Sequence, residues 1–175
     1  ATALLSFAQQ QAGKIPRIGI LWHAESAEEE GPYFEAVIQG FKELGYAHGQ
    51  NIVIEHRYPN EEPEKFRSMA AELAALKPDV ILASGGSASV AAKNATTTIP
   101  VVFIVVPDPI GSKLVDNLAH PGGNVTGLTN FGVQLAAKRL EYLHEIIPNR
   151  TRIALLVNSN VQNTRQFIEE SEAAA

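Results

Sequence analysis

The sequence contains no cysteine. Within these residues that excludes disulfides, thiolate metal sites, cysteine nucleophiles and a bacterial lipid-anchor cysteine, and it is compatible with an oxidising compartment. Charge is sparse, at 19% of 175 residues, and acidic groups outnumber basic ones for a net charge of −5. A generic electrostatic grip on nucleic acid or on an anionic membrane is therefore not expected. Long apolar runs are missing as well: the longest, Val101 to Pro107, is far too short to span a bilayer. No Gly-x-x-x-x-Gly-Lys is present, and the turn after Trp22 holds no Gly-x-Gly-x-x-Gly. That leaves no phosphate-loop or dinucleotide fingerprint. Gly85-Gly86-Ser87-Ala88-Ser89 is not a Gly-x-Ser-x-Gly elbow, and neither a His-x-x-x-His pair nor a carboxylate cluster has metal spacing. No catalytic residue, metal or cofactor is expected, and Glu28-Glu29-Glu30 and Glu61-Glu62 read as solvated charge.

What is present is an ordinary globular composition, 45% apolar, with enough chain for a sizeable core. Length allows one domain, or one domain and a piece of a second. Residues 1–8, ATALLSFA, are apolar and end in small residues. They read either as the remnant of a signal peptide cleaved after Ala8 or as a frayed apolar tail. Residues 9–13 form a short leader.

Strand and helix patterns then alternate. Arg17 to Trp22 is a short apolar run bounded by Pro16, as in a strand buried on both faces. Glu25 to Gly31 is acidic and loop-like. From Pro32, Phe34, Val37, Ile38, Phe41 and Leu44 recur at helical spacing. Asn51 to Tyr58 predicts a second strand, with a half-wet alternation suited to a sheet edge. Glu64 to Leu76 predicts a helix stopped by Pro78. Asp79 to Ala83 predicts a third strand, then a glycine turn and a small-residue helix from Ser89. Ile99 to Val106 is almost continuously β-branched and predicts a central strand. A short helix over 110–118, a fifth strand over 125–129, a helix over 133–147, a strand over 153–157 and a last helix from near Asn163 follow. Repeated β-α alternation with short loops predicts a doubly wound parallel α/β sheet.

In such a sheet, ligands bind beyond the carboxyl ends of the strands, at the switch point. The candidate loops are Trp22 to Ser26, Ser84 to Ser89, Pro107 to Ile110 and Thr129 to Phe131. At the second, Gly85-Gly86 allows close backbone approach, and Ser87 and Ser89 lie where free N–H groups favour a carboxylate or phosphate. A glycine turn with a serine cap accounts for the same residues. Asp108, between two prolines, suits a ligand ammonium or hydroxyl, and equally the cap of a following turn. Of Trp22 and His23, one can face a ligand while the other packs in the core. Asn94, Asn124 and Asn149 each open a glycosylation-type triplet, a pattern common by chance.

Several stretches, in this order, resemble the periplasmic substrate-binding proteins of ABC transporters, in the family with tryptophan- and phenylalanine-binding members. They are RIGIL (17–21), FKELGY (41–46), GQNIVIE (49–55), AEL (71–73), AAKNATTTIPVVF (91–103), Asp108-Pro109 and PGGNVTGLTN (121–130). The resemblance implies a type I periplasmic-binding fold, in which two flavodoxin-like α/β lobes trap a ligand between them. It places the N-terminal lobe at 14–131, and in 132–175 the hinge crossing and the incomplete start of a truncated second lobe. Carried over by position, Trp22, His23, Glu25, Ser26, Gly86, Ser87, Ala88, Ser89, Asp108, Pro109, Thr129, Asn130 and Asn158 would be ligand-binding. Ser87 to Ser89 would meet a carboxylate and Asp108 an amino group. The implied ligand is an amino acid or similar small solute. The implied partner is a membrane permease of an ABC transporter, the implied location the periplasm, and the implied role non-enzymatic. Two alternatives stay open: a flavodoxin-like enzyme or regulator core on the same sheet, and a homodimer that completes the second lobe.

Overall fold

The computed structural model describes residues 14–159 and 164–174. The residues read as a signal remnant and leader lie outside the described residues. The chain enters the sheet at strand β1 (Arg17–Leu21), whose start is pinned by Asp79. One oxygen of Asp79 accepts the Arg17 N–H at 2.8 Å and the other accepts the Lys14 ammonium at 2.8 Å. The Lys14 contact and then the Arg17 N–H hold the Asp79 carboxyl below the usual carboxylate range.

Helix α1 (Ala27–Glu30) replaces the expected acidic loop, because Ser26 accepts the Glu29 N–H as an N-cap. Helix α2 (Pro32–Glu43) follows with proline in its first turn. Then come β2 (Val53–Arg57), α3 (Pro63–Ala75), β3 (Val80–Ser84), α4 (Gly86–Ala95), β4 (Val101–Val106) and β5 (Val125–Thr129). All pairings are parallel, in the order β2-β1-β3-β4-β5. The expected doubly wound α/β sheet is thus observed, with β2 at an edge. The middle position belongs to β3, and β4 lies one place outward between β3 and β5.

Helices cover both faces, as parallel crossovers require. On one face Phe66, Ala70 and Leu73 of α3 and Ala88, Ala91 and Ala92 of α4 pack on Leu21, Ile81, Ala83, Val101, Phe103 and Val125. On the other, Phe34, Val37, Ile38 and Phe41 of α2 lie against Ile20, Trp22, Ile52 and Ile54. Residues 110–118 make turns rather than a helix. Lys93 of α4 donates to the Lys113 and Leu114 carbonyls, holding this segment in place. Asn124 donates to the Thr96 and Ile99 carbonyls, so this triplet asparagine ties β5 to the entry of β4.

Helices α5 (Ala136–Ile146) and α6 (Thr164–Ala173) complete the described elements. Residues 153–157 do not form the expected strand. No described strand lies beside them to complete a hydrogen-bond ladder, and their apolar side chains are exposed, Leu156 fully so.

Glycines separate tight from open packing. A Cβ on Gly127 of β5 would lie 2.1 Å from the Phe103 carbonyl oxygen, whereas one on Gly40 of α2 would meet nothing within 4 Å. Gly127→Ala is expected to destabilise the chain by about 1–3 kcal/mol through overpacking. Gly40→Ala should stabilise it by up to about 1 kcal/mol through helix propensity. Opposite shifts of the urea midpoint check the pair; equal signs would contradict this packing.

Candidate functional site

In the order β2-β1-β3-β4-β5 the chain departs from β1 in both directions, so the crevice between the β1 and β3 loops is the switch point. The loop after β1 is built from backbone and carboxylate. His23 N–H and Ala24 N–H both donate to Glu30 Oε1 at 2.8 Å. The neighbouring 59–62 turn is stitched to it, with Asn60 N–H on the Ala24 carbonyl and Glu61 N–H on that of His23. Glu30, read from sequence as solvated, has a wholly buried side chain whose Oε2 lies 2.9 Å from His23 Nδ1. The signal for it lies six and seven residues upstream, in backbone N–H groups that carry no side-chain pattern.

Trp22 turns into the core and His23 stays partly exposed, which decides between the two. Trp22 has no exposed surface, and its indole N–H donates to His56 Nδ1 at 3.0 Å. His56 and Tyr58 stack near-parallel to the indole, with centroids 6.2 and 6.4 Å away. Burial, then the nearby His48, holds His56 below the ordinary imidazole range, with Glu55 opposing. Tyr58 is raised by burial and by Glu30 and Glu28. Glu25 is exposed, and Ser26 is half-buried as a cap.

After β3, Gly85 takes φ +84° and gives α4 an N-cap with no side-chain hydrogen bond. Helix α4 starts at Gly86, earlier than expected, and this changes the roles of its serines. Ser87 is exposed in the first turn. Ser89 is fully buried, and its hydroxyl donates to the Gly85 carbonyl at 2.5 Å, so it is not available to a ligand. Ala88 is buried as well. Gly86, Ser87 and Ala88 are left as first-turn N–H donors with no side-chain acceptor.

After β4, Asp108 is 6% exposed and Oδ1 accepts the Ile110 and Gly111 N–H groups at 3.2 and 2.9 Å. The capping role is therefore realised, with a turn in place of a helix, and Pro109 is buried beside it. Just upstream, Val105 adopts φ +57° where the β4–β5 register shifts. A β-branched residue is strained in that conformation. After β5, the Thr129 hydroxyl donates to the Val106 carbonyl at 2.8 Å and accepts the Phe131 N–H at 3.1 Å. Asn130 is exposed, and its Oδ1 accepts the Gly132 N–H at 3.2 Å. Asn158 is exposed in the segment before α6, its carbonyl accepting the Thr164 hydroxyl at 2.6 Å. The topology thus brings the β1, β3, β4 and β5 loops to one end of the sheet. Trp22 and Ser89 stand behind that surface rather than on it. Among the described residues no cluster of His, Cys, Asp or Glu could hold a metal.

Comparison with known proteins agrees with this fold. A family model for "ABC transporter substrate binding protein" matches residues 30–175. A tyrosine-binding protein of Clostridioides difficile is 30% identical over 128 residues, 73% of this chain and 36% of the relative. A conserved domain protein of Vibrio cholerae is similar in structure at TM-score 0.83 and 29% identity, over 93% of this chain and 54% of that one. A Streptococcus pneumoniae ABC domain in complex with L-Trp is similar at TM-score 0.80 and 27% identity, again over 93% and 54%. This chain spans about half the length of these structural relatives.

Two expectations follow from the loop chemistry. Asp108→Ala should cost about 1 kcal/mol by orphaning two N–H groups, and Asp108→Asn, which keeps a capping oxygen, much less; chemical unfolding measures both. His56 is neutral in the folded chain, while the unfolded chain takes up a proton near pH ~6.5. Its contribution to stability is therefore present above that pH and lost as pH falls through the lower folded value. The unfolding midpoint should decline with acidification below about pH 6.5, and His56→Gln should flatten part of that decline.

Proposed function

This chain belongs to the family of ABC transporter substrate-binding proteins, and from that premise we propose that it is the solute-binding component of an importer. The proposed ligand is an amino acid. Of the relatives described above, one is a tyrosine-binding protein and another is held with L-Trp. Both support a receptor over the enzyme and regulator alternative on the same sheet. The observation that carries the reading is the start of α4: first-turn N–H groups with no side-chain cap, at the switch point of the sheet. Oriented amides at a helix N-terminus favour a carboxylate. Gly86 and Ser87 would hold the ligand's carboxylate through the backbone, with Ala88 buried beneath them. His23, Glu25, Ser26, Thr129 and Asn130 would line the near wall, and Asp108 with Pro109 would fix the floor.

In this reading residues 14–131 form the near lobe, and 132–175 begin the far one, with Asn158 facing the same cleft. Delivery is to a membrane permease, and the protein works in the periplasm. Among the described residues no helix is long and apolar enough to cross a membrane.

Ser87→Asp tests the site. A carboxylate in the first helical turn favours the helix by about 0.3–1 kcal/mol, yet it puts negative charge where the ligand's carboxylate is to sit. Thermal shift with L-tryptophan and L-tyrosine should show stabilisation of the wild type and none of the variant, with the unliganded variant at least as stable. Equal binding by both proteins would sink the assignment, and chemical turnover of either amino acid would sink the receptor reading.

A further inference from the structure

Two carboxylates are buried among the described residues, Asp108 and Glu30. Asp108 is accounted for by its turn. Glu30 is not: its side chain has no exposure, it stands at the ligand end of the sheet, and the function proposed above makes no use of it. A buried carboxylate is costly unless its lone pairs are matched. Oε1 is matched twice, by the His23 and Ala24 N–H groups. Oε2 has no hydrogen-bond partner among the described residues, and His23 Nδ1 lies 2.9 Å from it. Two lone pairs repel at that distance, and a proton placed on Nδ1 removes the repulsion. A neutral imidazole carries a single N–H, so Nε2 is then an acceptor. The His23 side chain is 41% exposed, and Nδ1 is the ring nitrogen already engaged.

We propose that Glu30 is a specificity-determining residue that acts through His23. It fixes the Nδ1–H tautomer, so that Nε2 offers a lone pair to the ammonium of a bound amino acid. This rests on the reading of the chain as an amino-acid receptor and adds which end of the ligand meets which loop. The ammonium faces the β1 loop, and the carboxylate faces the start of α4. The two loops leave neighbouring strands about 4.8 Å apart, within the span of an α-amino acid. Asp108, expected from sequence to take the ammonium, is a poorer partner, since Oδ1 already accepts two N–H groups.

Glu30→Gln is the informative change. The amide oxygen must stay on the two backbone N–H groups, which turns the NH₂ toward Nδ1. An amide NH₂ can only donate, so Nδ1 becomes the acceptor and the proton moves to Nε2. Multiple-bond ¹H–¹⁵N spectra of the protein at pH 8, assigned with His23→Ala, should show Nδ1 protonated in the wild type and Nε2 protonated in E30Q. By calorimetry, E30Q should weaken L-tryptophan about tenfold or more and its deamino analogue, indole-3-propionate, less than about twofold.

A wild-type Nε2 that carries a proton, alone or together with Nδ1, overturns the proposal, as does an equal loss for both ligands. If E30Q does not fold, the wild-type spectrum still fixes the tautomer, and His23→Ala should reproduce the ligand-selective loss. If the wild type binds neither compound, the receptor reading fails and the ammonium assignment falls with it, while the spectra decide separately whether Glu30 sets the tautomer.

Discussion

A parallel strand cannot reach its neighbour through a tight turn, so each of β1 to β4 is followed by a crossover that returns the chain to the same end of the sheet. Two consequences follow for the chain. Every loop that leaves a strand lies at one end of the sheet, and both faces need a covering helix. Helix α2 covers one face at β1 and β2, while α3 and α4 cover the other. The chain departs from β1 in both directions, and a crevice opens where the departing loops diverge. Close packing supports this arrangement at Gly19, where a Cβ would lie 3.1 Å from Leu73. The bare strand lets α3 settle close on β1.

The loop end of a parallel sheet is rich in backbone N–H groups that no ladder satisfies. Most of those described here are matched by nearby side chains. Ser26 takes the Glu29 N–H, Glu30 takes those of His23 and Ala24, and Asp108 takes those of Ile110 and Gly111. Thr129 and Asn130 do the same after β5. The start of α4 is not matched in this way. Its cap is Gly85, which has no side chain to offer. Helices α2, α3 and α5 also start without a side-chain cap, but α4 starts directly after β3 at the switch point of the sheet, and a free helix start at that position is a preferred place for an anion. The receptor reading rests on that position.

The strands were legible because apolar runs between proline, glycine and polar turns are local signals. The five described strands fall where the pattern predicts them, and the wet alternation of Ile54 to Tyr58 marks an edge. Roles within the loops were less legible, because they depend on what lies across the chain. Glu28-Glu29-Glu30 looks uniformly solvated, yet the third carboxylate is buried by its contact with the backbone at 23–24. Ser87 and Ser89 look equivalent until the helix start is fixed at Gly86. Two positions then separate an exposed first-turn hydroxyl from one buried a turn later on the Gly85 carbonyl. Trp22 and His23 are consecutive, so the strand's alternation had to bury one of them, but it could not say which.

Residues 153–157 carry the same argument further. Ile153-Ala154-Leu155-Leu156-Val157 reads as a strand buried on both faces, and a continuous apolar run of that kind needs a neighbour on each side. None of the described strands pairs with it, and Leu156 is fully exposed. A sheet is a property of pairs of strands, so a correct reading of the residues yields a strand only where a partner stands. The β1 to β5 lobe supplies its own partners, and its pattern and structure therefore agree. In 153–157 the pattern states a demand for burial that the described residues do not meet. This chain spans about half the length of its structural relatives. The segment's apolar character is thus intelligible as one side of a pairing, in the same way that the uncapped start of α4 is intelligible as one side of a ligand site.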